Sequence, residues 1–171
     1  MRGFPVIGVA VLLTVTLASC QPTPIAGTPV RVDRVVSGQT VEITQADGNT
    51  TSQTVRAIGI DAPDLQQQPW GMAAKKRLEE LVEGRSILLE FDVESEDGFD
   101  RQLAYLWVDG VLANEQLVAE GFVLDRARSP NIKYQQRLTL ARERARLARR
   151  GIWNPENPLR QTPSEFRHQN R

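Results

Sequence analysis

The stretch VRVDRVVSGQTVEITQ, residues 30–45, has the pattern of two short β-strands joined by a tight turn. Apolar and polar residues alternate within each run, and Ser37-Gly38 separates the runs where a turn is expected. Asp47-Gly48 supplies a second turn signal, which leads into TSQTVRAIGI at residues 51–60. Three β segments with hairpin-length links predict a β-meander.

Two more strands and three helices are predicted after this meander. SILLEFDV, residues 86–93, alternates so that Ile87, Leu89, Phe91 and Val93 share one face, and RQLAYLWV, residues 101–108, is an aromatic-rich fifth strand. Helical spacing favours helices at residues 70–84, 112–121 and 133–150. This pattern predicts an α+β fold, a closed five-stranded barrel of the OB type with three helices.

The composition is that of an ordinary globular protein. The chain has 171 residues, of which 40% are apolar and 25% charged, enough for one domain with a core. Its 21 basic and 21 acidic side chains balance. Bulk charge therefore gives no attraction to nucleic acid, and anion binding would need a local cluster.

The N-terminus has the pattern of a bacterial lipoprotein. Residues 1–19 combine one arginine with a short apolar run, and Leu17-Ala18-Ser19-Cys20 matches the lipobox that precedes a lipidated cysteine. We expect an exported protein anchored through Cys20 to the cell envelope, at the outer membrane in a Gram-negative host. A plain signal peptide ending in cysteine is the alternative. Cys20 is the only cysteine, so it has no disulfide partner in the chain.

The remaining boundaries follow from composition. Residues 20–29 suit an extended Pro/Thr linker, residues 30–154 form the predicted domain, and residues 155–171 are predicted to be a flexible polar tail. The tail contains His168, the only histidine, to which we assign no catalytic role. A monomer is expected, in contact with the membrane only through its lipid.

Three segments together resemble the staphylococcal nuclease (thermonuclease) family. They are VRAIGIDAPD at residues 55–64, DRQLAYLWVDGVLANEQLVAEGF at 100–122 and RRGIWNPEN at 149–157. The resemblance covers about residues 30–154, in the family's order and spacing. It implies an OB-type barrel with three helices and, in active members, calcium-dependent cleavage of phosphodiester bonds in DNA and RNA.

The resemblance also implies roles for individual residues. Arg56 and Arg101 match the two catalytic arginines, whose guanidinium groups stabilise charge on the phosphoryl oxygens. Asp61 and the backbone carbonyl of Ala62 match oxygen ligands of calcium. Asp64 matches the carboxylate that orients or deprotonates the attacking water, where the family usually has glutamate.

The metal ligands and the base depart from the family pattern. Active members read D-G-D-T where this chain has Ser37-Gly38-Gln39-Thr40, so the second metal carboxylate is replaced by the neutral amide of Gln39. One charge lost at close range is worth a few kcal/mol, which predicts calcium binding weakened by ~10- to 1,000-fold. The Asp64 side chain is one methylene shorter than glutamate, and a displacement of about 1 Å costs about 100-fold in rate.

The substrate-binding residues differ too. Where the family stacks a base on tyrosines, this chain has Arg126 and Arg128, which suit phosphate, while Phe99 keeps one aromatic ring nearby.

Three functions therefore stay open from the sequence. One is a metal-dependent nuclease weakened at Gln39, with DNA or RNA as its partner and Ca²⁺ as a weakly bound cofactor. The second is a catalytically silent OB-fold lipoprotein that binds nucleic acid or another anion. The third is a structural interaction domain in which the arginines only stabilise the fold.

Overall fold

The computed structural model describes residues 25–45 and 52–170. The predicted signal peptide, the predicted lipidation site at Cys20 and the predicted turn at Asp47-Gly48 lie outside these described residues.

The predicted five-stranded barrel is confirmed. Its strands are β1 (Thr28–Ser37), β2 (Thr40–Gln45), β3 (Gln53–Ala57), β5 (Ser86–Glu96) and β6 (Gln102–Val108). The sheet order is β3-β2-β1-β5-β6, and a parallel pairing between β3 and β6 closes the barrel. The short strand β7 (Val111–Leu112) pairs with β6 at the end of this sheet. Two further short strands, β4 (Ile60–Asp61) and β8 (Leu124–Asp125), pair with each other in a separate two-stranded sheet.

Residues 25–45 and 52–170 contain four α-helices, where three were expected. Helices α1 (Trp70–Val82), α2 (Ala113–Ala119) and α3 (Gln135–Leu147) follow the prediction, with shorter bounds, and a 3-10 turn spans Gly151–Trp153. The fourth, α4 (Pro163–Gln169), lies in the segment expected to be a flexible polar tail. Within the described ranges, no helix has the length and apolar character needed to cross a membrane.

Local capping and two long-range hydrogen bonds explain why α4 forms and where it lies. Thr162 and Glu165 make a reciprocal capping box, and Pro163 occupies the start of the helix. The connecting segment is held to the domain by Trp70 Nε1, which donates to the Asn157 carbonyl at 3.1 Å, and by Gln67 Nε2, which donates to the Gln161 carbonyl at 2.9 Å.

Two glycines let α1 pack closely against the barrel. A Cβ on Gly38 would stand 2.6 Å from the Cβ of Ala74, and a Cβ on Gly71 would stand 1.9 Å from the Asp64 carbonyl oxygen. Neither position has room for a side chain. Gly71 therefore fixes the distance between the start of α1 and the loop that follows Asp61.

A buried asparagine joins α2 to the barrel wall. Asn114, 1% exposed, accepts from the Leu106 N–H at 2.9 Å and donates to the Ile58 carbonyl at 2.8 Å. Both backbone groups would otherwise lack a partner in the interior. The Asn114 amide thus holds the end of β3 in place, directly before the loop to Asp61.

The alternation predicted for β5 holds for its first half only. Ile87 and Leu89 are buried, but Val93 is 71% exposed because the β5–β6 register breaks between Phe91 and Glu96. Glu90, which the alternation places on the face opposite Ile87 and Leu89, is also buried, with 7% exposure.

A polar and aromatic cluster covers this buried carboxylate. Glu90 accepts hydrogen bonds from Lys133 Nζ at 2.6 Å, Trp107 Nε1 at 2.6 Å and the Tyr134 hydroxyl at 2.9 Å. Burial by itself raises the pKa of Glu90, but these three donors outweigh it and hold the pKa below the ordinary 4.5.

We expect Gly71→Ala to lower the free energy of unfolding by about 1–3 kcal/mol, because the new methyl group overlaps the Asp64 carbonyl. An exposed helical glycine changed to alanine would instead gain about 1 kcal/mol. Denaturant unfolding measures the difference. Gly98→Ala is the control, since a Cβ there meets nothing within 4 Å. A stabilised Gly71→Ala variant would contradict the close packing.

We also expect Glu90→Gln to make the thermal stability of the protein depend less on pH in the acid range. The folded-state pKa of Glu90 lies below 4.5, so its stabilising contribution is complete above the ordinary pKa and disappears as the pH falls through the folded-state value. Thermal melts across the acid range should show a smaller loss in Glu90→Gln than in the natural chain. Glu83→Gln, at an exposed position, is the control; an unchanged profile in Glu90→Gln would contradict the expectation.

Candidate active site

A cleft of about 910 Å³ opens on one side of the barrel, bordered by the ends of β3, β5 and β6, by the segment after β8 and by α4. Seven of the nine predicted site residues line it, namely Gln39, Arg56, Asp61, Phe99, Arg101, Arg126 and Arg128. Ala62 and Asp64 are not among its lining residues. Five arginines and four carboxylates face the cleft, so its formal charge is positive although the chain is neutral overall.

The barrel closure positions the two arginines that match the catalytic pair. In the parallel pairing of β3 with β6, Arg56 is the register partner of Leu103, two residues after Arg101. The Arg56 side chain is 17% exposed, and its Nη2 donates to the Ile60 carbonyl at 3.1 Å. Its Nη1 is buried without a hydrogen-bond partner among the described residues. Arg56 therefore has a rigid position and an unused donor.

Arg101 is held from one side by a carboxylate. Its Nε and Nη2 donate to the same oxygen of Asp97, at 2.9 and 2.6 Å. Its guanidinium carbon lies 5.4 Å from the ring centre of Phe99, which is 80% exposed. The ring is thus placed beside the guanidinium group and is free on its outer face.

Asp61 is the most buried charge of the site. Its side chain is 3% exposed, and Arg126 Nη1 binds one carboxylate oxygen at 2.8 Å while Arg167 Nη2 binds the other at 2.6 Å. Arg56 Nη2 is 3.9 Å away. Three guanidinium groups from distant parts of the chain therefore converge on one carboxylate.

The crowding of cations is reflected in the pKa of Arg56. The pKa of Arg56 is lowered from 12.5 to about 10, mainly by burial. The attraction of Asp61 opposes this change, and the positive charges of Arg101, Arg167 and Arg126 contribute to it. Arg56 stays protonated at neutral pH, but its charge is poorly compensated. An anion in the cleft would compensate it.

The Gln39 amide oxygen is already used within the protein. It accepts the Ala62 N–H at 2.6 Å, while the Gln39 carbonyl accepts the Ala57 N–H at 2.8 Å. Gln39 therefore holds the β4 segment against the β1–β2 turn.

Asp64, predicted as the base, lies in a turn outside the cleft lining. Its carboxylate accepts the Gln66 N–H at 3.0 Å, and its carbonyl accepts the Gln67 N–H at 2.8 Å. These bonds use Asp64 to close the turn before α1. Its role as a base stays a prediction from the resemblance.

The side chains around Asp61 do not fit a calcium ion. Calcium takes six to eight oxygen ligands, whereas both Asp61 oxygens are bound by arginines and the Gln39 oxygen is bound by Ala62 N–H. Across the described residues, no group of three or more His, Cys, Asp or Glu side chains could hold a metal ion.

Two residues of α4 were missed by sequence reasoning. Arg167 binds Asp61, and the exposed His168, given no role, also borders the cleft. The sequence did contain one signal, because Thr162-Pro163-Ser164-Glu165 is a helix-start pattern. It indicates a helix but does not say where the helix lies.

Comparison with known proteins identifies the family. The family model described as "Staphylococcal nuclease homologue" matches residues 54–155. The chain belongs to this family, whose members are generally calcium-dependent. The resemblance seen in the sequence and its OB-type fold are thereby confirmed.

Three relatives illustrate the similarity. The chain is 33% identical over 129 residues to the thermonuclease of Staphylococcus hyicus, covering 72% of this chain and 75% of that one. It is 32% identical over 136 residues to the thermonuclease of Staphylococcus intermedius, covering 77% and 79%. It is 33% identical over 132 residues to endonuclease YncB of Bacillus subtilis (strain 168), covering 73% and 61%.

We expect Gln39→Asp to strengthen calcium binding by about tenfold or more, since one added negative charge near Asp61 is worth a few kcal/mol. The rise in melting temperature with calcium measures the affinity. Gln39→Asn, equal in size but neutral, is the matched control. Equal responses of the two variants would show that charge at position 39 does not limit the metal.

Proposed function

We propose that this chain is a nuclease that hydrolyses phosphodiester bonds of DNA or RNA in the cleft beside Asp61. One observation carries the proposal: in a chain of the nuclease family, Arg56 on β3 and Arg101, directly before the paired strand β6, face the same cleft. Relatives named as thermonucleases and endonucleases support the reaction class.

The two guanidinium groups suit the charge that develops in this reaction. Water attacks phosphorus and loses a proton as a fifth oxygen bonds to phosphorus. The bond to the leaving oxygen then breaks, and that oxygen takes up a proton. Negative charge grows on the non-bridging oxygens, where preorganised donors act most strongly. Arg56 offers its unpaired Nη1, and Arg101 keeps its remaining N–H groups beyond Asp97.

The rim of the cleft suits a nucleotide chain. Phe99 presents an open ring on which a base can stack, and stacking of this kind is worth about 1–3 kcal/mol per base. Arg128, exposed at the same rim, can contact a neighbouring phosphate. Unpaired bases are needed for stacking, so single strands are the better substrate.

The proposed activity is weak compared with family members that carry both metal carboxylates. Gln39 adds no charge, and Asp64 is shorter than glutamate and engaged in its turn. The silent-binding alternative from the sequence predicts no cleavage at all, so the cleavage assay separates the two.

We expect Arg101→Ala to reduce cleavage of single-stranded DNA by about 100-fold or more, because it removes a donor to the transition state. Release of acid-soluble fragments from the full chain, with calcium and with a chelator, measures the rate. Arg160→Ala is the matched control, an exposed arginine of the same chain outside the cleft. Cleavage that survives in Arg101→Ala, or a natural chain that never cuts, would refute the proposal.

A further inference from the structure

The two oxygens of Asp61 are occupied in a way that the family resemblance does not explain. Arg126, which follows β8, binds one of them, and Arg167, on α4, binds the other. Arg167 lies beyond residues 54–155, the part of the chain that the family model matches. The carboxylate expected to hold a metal thus holds two guanidinium groups.

The excess of positive charge around this carboxylate disfavours a cation and favours an anion. Arg56, Arg126 and Arg167 all lie within 3.9 Å of Asp61, so three positive charges surround one negative charge. A divalent cation would have to displace two of these contacts and stand beside the others, and like charges at such distances repel strongly. A phosphate group is negatively charged, so the same guanidinium groups would attract it.

We propose that Arg126 and Arg167 take the place of a divalent cation at Asp61, so that the cleft binds the phosphate groups of single-stranded nucleic acid without metal. The choice of nucleic acid as the ligand rests on the proposed function. Metal-free binding rests on the arginines themselves.

Both arginines keep donors for such a ligand. Their side chains are 52% and 34% exposed, and each guanidinium group has five N–H donors. The contacts with Asp61 each use a single nitrogen, Nη1 of Arg126 and Nη2 of Arg167. Asp61 therefore orients the two guanidinium groups and leaves their remaining N–H donors available to phosphate oxygens.

A buried donor points to the same ligand. Arg56 Nη1 has no partner among the described residues although it belongs to a residue that borders the cleft. A buried unpaired donor is costly unless something bonds to it. A phosphate oxygen beside Asp61 would satisfy Arg56 and lie within reach of Arg126 and Arg167.

The test is binding of a short fluorescein-labelled oligothymidylate to the full chain, followed by fluorescence anisotropy in excess chelator and then with calcium. We expect binding in chelator that calcium does not improve. Arg126→Ala and Arg167→Ala should each weaken it by about tenfold or more, whereas Arg160→Ala should stay within about twofold. Melting temperatures of the variants establish that each one is folded.

Binding that requires calcium would overturn the inference. So would folded Arg126→Ala and Arg167→Ala variants that bind as the natural chain does. The proposed function is judged separately by cleavage. A chain that cuts DNA but does not bind it in chelator would support the nuclease proposal and contradict metal-free binding. A chain that binds DNA in chelator but never cuts it would support metal-free binding and contradict the nuclease proposal.

Discussion

The parallel pairing of β3 with β6 is the constraint on which the site depends. It closes the barrel, and its register places Arg56 next to Leu103, close to Arg101. Strands so far apart in the chain meet only because β1, β2 and β5 lie between them in the sheet. Barrel closure removes the free sheet edges, and in this protein the same closure brings two arginines to one cleft.

The buried charge of Asp61 determines the arrangement around it. A carboxylate that is 3% exposed must be paired, and here the pairing comes from Arg126 and Arg167. Gln39 alters the balance in the same direction, because it supplies a neutral amide whose oxygen is bound to Ala62 N–H. The neutral Gln39, in place of the family's carboxylate, and the two arginines at Asp61 both make the cleft more attractive to anions.

The sequence predicted the barrel well because alternation and turn residues are local signals. Family resemblance then pointed to Arg56, Asp61 and Arg101, which line one cleft in the structure. It could not reveal Arg167, because a contact between residues 106 positions apart leaves no local pattern. Alternation put Glu90 on the face opposite Ile87 but did not reveal that this side chain is buried, because alternation indicates which way a side chain points and not what packs over it.

The position of Arg167 also bears on the order in which the molecule assembles. Contacts between residues so distant in sequence require a long loop to close, and such contacts form late in folding. The barrel strands and the hydrogen bonds of Asn114 can form before α4 reaches the cleft. A barrel formed before α4 docks would hold Asp61 against Arg126 without Arg167, and the cleft would gain the charge of Arg167 only when α4 reaches it.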